Sequence, residues 1–361
     1  MNRRQTGLMG CVAAAACLTF APCTPAAEIF LRGAVFIPNS TLDQNSAVMS
    51  FGELSGVTYD SSADRFWAVN DGSNKLVQLN VQFNADGSIQ NAAVVSGLRM
   101  AESRDFEGIA FTSAARNSVF VSEEDTPGVR EYSLTDGSHL QTLTTPAVFT
   151  APGHLVGNRG FEALARHPDG SVMYAAVEEA LTVDGPTATT TQPTVVRVQR
   201  YDVTGNDAAP GAQYAYVVDP IHAGPGGQSG LSDLLVLPNG TVLALERSWA
   251  GGLNFRTRIY ALDFSAATDI SQGAAADGLI GQAYTPIAKG QPLLEANLLN
   301  LEGLALGPQL PNGHYVLLGV VDANQAGPNI ITSFELVIPE PATGVVGAAA
   351  APLLLRRQTK P

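Results

Sequence analysis

Beyond residue 50, short apolar runs come in pairs joined by a turn, and the pairing repeats five times along the chain. The first pair is Leu54-Ser-Gly-Val-Thr-Tyr and Trp67-Ala-Val-Asn-Asp71, the second Phe106-Glu-Gly-Ile-Ala-Phe and Val119-Phe-Val-Ser-Glu-Glu124. The third runs from Phe161-Glu-Ala-Leu-Ala to Tyr174-Ala-Ala-Val-Glu-Glu179, and the fourth from Leu231-Ser-Asp-Leu-Leu-Val to Val242-Leu-Ala-Leu-Glu246. The fifth runs from Leu301-Glu-Gly-Leu-Ala-Leu to Val316-Leu-Leu-Gly-Val-Val-Asp322. In the last three the turn is written out as Asp169-Gly170, Asn239-Gly240 and Asn312-Gly313, the strongest short-range hairpin signal. Runs this apolar on both strands belong inside a structure.

A third strand follows each hairpin: Lys75 to Phe83, Val129 to Leu134, Thr194 to Tyr201, Thr257 to Phe264 and Ile330 to Val337. Several of these alternate polar and apolar positions, as half-exposed strands do. Weaker fourth strands follow the first four units, for example Tyr214 to Asp219. The fifth unit has none after it, but the N-terminal stretch Glu28 to Pro38 can supply one and close a ring. Counted from Gly56, Gly108, Ala163, Asp233 and Gly303, the repeats start 52, 55, 70 and 70 residues apart. The pattern predicts an all-β chain, a β-propeller of five or six four-stranded blades. The two long intervals leave room for insertions or a sixth blade. A β-sandwich does not require internal repeats, and a parallel β-helix has shorter periods. The Gly-, Ala- and Thr-rich stretches 182–191 and 266–281 read as surface loops.

The repeat also places the acids. Ser55, Glu107, Glu162, Ser232 and Glu302 stand at the start of the first strands. Asp71, Glu123, Glu124, Glu178, Glu179, Glu246 and Asp322 stand at the end of the second. The two strands are antiparallel, so these positions share one face of the ring, and about ten carboxylates are expected at one end of the central channel. Such a cluster needs a neutraliser. One option is a hard divalent cation, with Ca²⁺ suited to flexible all-oxygen sites and Asp71, Glu107, Glu162, Asp233, Glu246, Glu302 and Asp322 as the expected ligands. The other is arginine, because Arg104, Arg159 and Arg247 each sit beside a repeated acid. A structural salt-bridge belt and a metal site both remain open.

Charge narrows the partners. The chain has 361 residues, 33 acidic against 20 basic. Five of the basic residues and one acid, Glu340, lie in the two ends, so Glu28 to Ile338 carries 32 acids against 15 bases. That surface repels phosphate backbones and excludes nucleic acid as a partner.

The ends read as addresses. Arg3 and Arg4, an apolar run from Leu8 to Ala21 and the small residues Ala26 and Ala27 form a secretory signal over residues 1–27. All three cysteines, Cys11, Cys17 and Cys23, lie within it. Processing there leaves a mature chain with neither disulfide nor thiolate metal site. Residues 339–361 begin with Pro339-Glu340-Pro341, continue with an apolar run from Gly344 to Leu355 and end beyond Arg356-Arg357. This order resembles the PEP-type C-terminal sorting tag of Gram-negative exopolysaccharide producers. The resemblance implies a membrane sorting protease as partner, and delivery to the periplasm, cell surface or extracellular matrix. The run is 12 residues long, shorter than the roughly 20 of a spanning helix.

No Gly-x-Ser-x-Gly elbow, His-Glu-x-x-His or phosphate loop is present. Asp202-Val-Thr-Gly-Asn-Asp lacks the spacing and closing Glu of a calcium loop and reads as a turn. His167 and His314 flank hairpin turns and are expected at the rim opposite the acids.

The body carries Glu53-Leu-Ser-Gly56, Asn70-Asp71-Gly72, Arg104-Asp-Phe-Glu-Gly108 and Asn158-Arg-Gly-Phe-Glu162. Further on come Gly230-Leu-Ser-Asp233, Leu245-Glu-Arg247 and Asn300-Leu-Glu-Gly303. With these units, nearly all of residues 51–338 resembles the phytase-like family described as having esterase-like activity, and residues 28–338 are read as one phytase-like propeller domain. More distantly they are similar to the calcium-dependent propeller phytases. The resemblance implies a metal-assisted esterase or phosphoesterase acting on small phosphomonoesters. On it, Glu107, Glu162 and Glu302 are the expected catalytic carboxylates, and Arg104, Arg159, Arg247 or Lys75 would hold phosphate oxygens. Bases are too sparse for a highly charged inositol phosphate. The second reading is a non-enzymatic, calcium-stabilised propeller that binds a matrix polysaccharide or protein, since a propeller scaffold does not itself imply catalysis.

Overall fold

Each of the five sequence repeats opens an antiparallel sheet, and the five sheets stand around a central channel. In this computed structural model residues 27–322 and 328–338 are described. The predicted signal, its cysteines and the sorting tag lie outside the described residues.

Blade one is Leu54–Asp60, Arg65–Asn70, Lys75–Phe83 and Ile89–Arg99, from the channel outward. Blade two is Phe106–Phe111, Ser118–Glu123, Gly128–Ser133 and His139–Thr142, and blade three is Phe161–Arg166, Val172–Val177, Thr194–Thr204 and Asp207–Val218. Blade four is Gln228–Val236, Val242–Trp249 and Phe255–Asp263, with two short outer pieces, Ala288–Lys289 and Leu294–Ala296. Blade five is Leu301–Gln309, Tyr315–Val321 and Asn329–Val337, completed by the N-terminal Glu28–Ile37. That last strand pairs antiparallel from Glu28 opposite Val337 to Ile37 opposite Asn329, so the two ends of the body close the ring as expected. Inner strands pack on both neighbours, and the fifth meets the first. Among the described residues there is no sixth blade. The two long intervals hold excursions instead, and these are not merely surface loops. Leu181, Ile270 and Leu279 are buried, and Arg197, itself buried, is paired with Asp184 at 2.7 Å.

The hairpin turns follow from their residues. In blades three, four and five the glycine N–H bonds back three residues, Gly170 to His167, Gly240 to Leu237 and Gly313 to Leu310, at 2.8–2.9 Å. Proline pre-sets the first turn residue, and the closing glycine takes φ of 82°, 86° and 87°, a region closed to most side chains.

The core lies between blades rather than around a single centre. The first residue of each repeat, Leu54, Phe106, Phe161, Leu231 or Leu301, is fully buried. Each contributes about 1.5–3 kcal/mol of apolar burial. Directly after it every inner strand carries a β-bulge, with one extra residue opposite its partner strand. A bulge re-aims side chains and bends the strand. Its third position is tight against the next inner strand. A Cβ on Gly56 would lie 2.3 Å from the Glu107 carbonyl oxygen, and one on Gly108 2.6 Å from the Leu164 nitrogen. Glycine therefore lets neighbouring inner strands approach.

Candidate functional site

The five bulges turn the second residue of each repeat toward the channel, forming a ring of Ser55, Glu107, Glu162, Ser232 and Glu302, all buried. A second ring stands beside it. The residue just past each second strand pairs its backbone with the position two before the bulge residue. Asp71 N bonds Glu53 O, Glu124 N bonds Asp105 O, Glu178 N bonds Gly160 O and Asp322 N bonds Asn300 O, at 2.9–3.0 Å. In blade four the equivalent pair is Arg247 opposite Gly230. The second ring is therefore Asp71, Glu124, Glu178, Arg247 and Asp322.

Arg247 is the one cation among these ten positions. Its Nη2 donates to Glu178 Oε1 at 2.7 Å, and its Nη1 donates to Asn300 Oδ1 at 2.8 Å and to Glu302. Burial disfavours its charge, but Glu302 and Glu178 outweigh that and raise its pKa. Asn300 also donates to Asp322 at 2.9 Å. One side of the channel is thus partly neutralised by the protein itself.

The other side is not. Two groups of carboxylates, Asp71 with Asp105 and Glu107, and Glu107 with Glu124 and Glu162, each offer oxygens within 4.8 Å of one another. Ser55 donates to Glu107, and Asn158 donates to Glu124 at 2.8 Å. Burial and mutual repulsion push the acids up. Glu107 rises well above the ordinary range through burial and then the charges of Glu162 and Asp71. Glu162 does so through burial and then Glu178. Burial lifts Asp71 to about 7, and burial with Glu178 lifts Glu124 to about 9. Glu302 reaches about 8 through burial, against the pull of Arg247. An all-oxygen set of carboxylates this close is the donor chemistry of a hard divalent cation, so the residues fit Ca²⁺.

Several expected residues take other places. Glu246 is not at the channel. It is buried beside Lys289 and Tyr216 and accepts the Asp219 backbone N–H at 2.9 Å. Its neighbour Arg247 occupies the ring position, because one step along a strand reverses the face. Glu123 likewise faces away from the channel, toward Arg104 and Arg130, each at 2.9 Å. Asp233 fills the tight third position of its bulge. Its carboxylate accepts the backbone N–H of Leu304 at 2.7 Å and of Leu234 at 2.8 Å, and burial lifts its pKa to about 8. It staples blade four to blade five instead of joining the carboxylate groups.

The arginines are engaged as well. Arg104 bonds Glu102 at 2.6 Å besides Glu123, and Arg159 bonds Glu179 and Gln228. Lys75 opens the third strand of blade one, outside the inner ring. His167 lines the opposite mouth of the channel, as expected. Asp105 and Asn300 also stand at the site, outside the repeat positions expected to form it. Each precedes a repeat glutamate by two residues, and that strand period is the signal that would have found them.

The sequence model of the phytase-like family, described as "esterase-like activity of phytase", matches residues 49–325. The chain belongs to this family. The match spans the first four blades of this phytase-like protein and the two inner strands of the fifth, from just before the first inner strand to just after Asp322. No functionally curated protein matches the chain significantly in sequence. Among solved structures, a luciferin-regenerating enzyme is similar at 9% identity and a TM-score of 0.36, over 80% of this chain and 92% of that one. The periplasmic gluconolactonase PpgL of Pseudomonas aeruginosa is similar at 13% identity and a TM-score of 0.37, over 87% and 100%.

Proposed function

We propose that this phytase-like chain is an exported hydrolase of small phosphomonoesters, working with a divalent cation at the acid-lined mouth of the channel. The supporting observation is the double group of carboxylates around Glu107, buried at Glu107, Glu124 and Glu162 and half-buried at Asp71 and Asp105, whose crowding and burial push Glu107 well up. Asp71, Asp105, Glu107, Glu124 and Glu162 would hold the cation. When bound, it would neutralise these acids and acidify a water. Arg247 holds Glu302 and Glu178 in place at the edge of the group, and its guanidinium would take a substrate oxygen in exchange for one of these carboxylates. Glu302, held by Arg247 and Asn300 with its pKa raised by burial, would serve as the proton-transferring carboxyl. Export by residues 1–27, and sorting through residues 339–361 to the surface or matrix of a Gram-negative cell, belong to the same proposal.

One observation favours the second reading, a cation-stabilised module that binds a matrix polysaccharide or protein. Arg104, Arg159 and Arg247 are all paired with acids, so a phosphate must compete for each.

The test is hydrolysis of 4-nitrophenyl phosphate by metal-stripped protein, with and without Ca²⁺, alongside its melting temperature. Ca²⁺-dependent turnover that is lost in Glu107→Gln supports the hydrolase. A higher melting temperature with no turnover of this substrate or of 4-nitrophenyl acetate favours the binding module.

A further inference from the structure

On the same face as the carboxylates, a cavity of about 620 Å³ opens between blades four and five. Its volume falls within the roughly 300–1,000 Å³ of small-molecule sites. At its inner end stand Arg247, Asn300, Glu302 and Asp322. Its outer walls are Trp249, Leu253, Phe255 and Leu299. The change from charged to apolar over one cavity is the organisation of a site that grips a polar head and an apolar body.

The apolar wall is built on regular structure. Trp249 and Phe255 are directly paired across the second and third strands of blade four, with ring centroids 6.2 Å apart. The indole N–H donates to the Gly252 carbonyl at 2.9 Å. That bond fixes the connecting turn, where Gly251 and Gly252 take φ of 92° and 56°. The turn carries Leu253 at its tip, 84% exposed, and Leu299 faces it from the segment before blade five, 39% exposed. Two large apolar side chains are therefore held at the lip with little to cover them.

We infer that this cleft is the subsite for an apolar, ring-sized organic group of the substrate, whose anionic end is held at Arg247. The inference rests on the hydrolase reading for the identity of that end, and it adds the substrate class: aryl or similarly apolar monoesters rather than polyanionic sugar phosphates. A second phosphate in this cleft would meet Trp249, Phe255 and two leucines where it needs cations. The mouth on the opposite face offers a cavity of the same size, but among the described residues no carboxylate lines it.

Binding of phenylphosphonate and of methylphosphonate, read by calorimetry and by Trp249 fluorescence with Ca²⁺ present, tests the subsite. Neither probe can be hydrolysed, so the result does not depend on turnover. Phenylphosphonate is expected to bind at least about tenfold more tightly. Leu253→Asp, a change on an exposed turn that leaves the fold intact, should abolish most of that difference. Equal affinities, no binding of phenylphosphonate, or a preference unaffected by Leu253→Asp together with Trp249→Ala overturns the assignment. Phenyl preference without turnover would sink the hydrolase reading and leave the subsite standing. Turnover of 4-nitrophenyl phosphate and glycerol 2-phosphate with equal kcat/KM would sink the subsite alone.

Discussion

Arg247 Nη2 lies 2.7 Å from Glu178 Oε1 across the boundary between blades four and three. The same guanidinium reaches Glu302 on blade five, so one side chain ties three successive blades together at the channel. Removing it leaves the buried Glu302 without its counter-charge and Glu178 with only Arg159, at 3.8 Å. Arg247→Met should cost about 3–5 kcal/mol of stability, the usual cost of breaking a buried pair from one side. Urea unfolding of both proteins checks this, and a change below about 1 kcal/mol would mean that Arg247 is not the neutraliser of that side.

Because Arg247 already serves Glu302, the two carboxylates Glu107 and Glu302 should differ in their weight for Ca²⁺. Glu107 belongs to both carboxylate groups. Glu107→Gln is expected to weaken Ca²⁺ binding by at least about tenfold, or 1.4 kcal/mol, and Glu302→Gln by less. Titration calorimetry on the metal-stripped variants decides between this and an equal or reversed ranking.

The metal-free protein should lose stability as the pH rises. Asp71, Glu302 and Glu124 titrate at about 7, 8 and 9 in the fold, against roughly 4 for ordinary carboxylates. The folded state keeps protons that the unfolded chain releases. Their contribution is complete below about pH 4 and is lost as the pH climbs through 7 to 9. Asp219 and Glu335 act in the opposite sense, both lowered to about 2. Bonds from Lys289 and Tyr260 outweigh burial at Asp219, and bonds from Arg32 and His314 hold Glu335. Their contribution is lost only as the pH falls toward 2. Melting temperatures in chelator should therefore fall between pH 5 and pH 9, and Ca²⁺ should raise them most at pH 9. A flat or rising profile in chelator contradicts the buried cluster.

Ring closure depends on the N-terminal strand. Deleting residues 28–37 removes the buried Ile29 and Ile37, worth about 2 kcal/mol each, and bares the third strand of blade five as an edge. A loss of at least about 4 kcal/mol is a large share of a typical 5–15 kcal/mol. The truncated body should melt well below the intact one by circular dichroism. An unchanged midpoint would show that the blade closes without it.

Gly56→Ala tests the contact between inner strands. The new methyl would meet the Glu107 carbonyl oxygen at 2.3 Å, so the strands must part. Overpacking of this kind costs about 1–3 kcal/mol, and it should also weaken Ca²⁺ binding because Glu107 moves with its backbone. Wild-type stability and affinity in this variant would remove the argument for glycine at the bulge.

Much of this was legible along the chain. Paired apolar runs, Asp-Gly and Asn-Gly turns and an unmatched N-terminal strand gave the blades and their closure. The recurring Glu after Leu or Phe marked the inner ring. The second ring was harder. Glu178 and Glu179, or Glu246 and Arg247, are adjacent letters that face opposite ways, and in sequence Glu246 matches Asp71 and Asp322 although Arg247 is the structural equivalent. Nothing local distinguishes them, because the extra residue of each bulge sets the register and appears only when the strands pair.

The sequence by itself determined an all-β repeat, the hairpin turns, the closing strand and a carboxylate-rich face, since these follow from side-chain period, turn chemistry and charge. Only the tertiary structure decided which carboxylates meet. It gave Arg247 the place of one acid, turned Glu246 toward Lys289, spent Asp233 on the backbone of the next blade and left Glu107 with Asp71, Asp105, Glu124 and Glu162. The reason is that each ring draws one residue from each of five blades, so its composition depends on five registers at once.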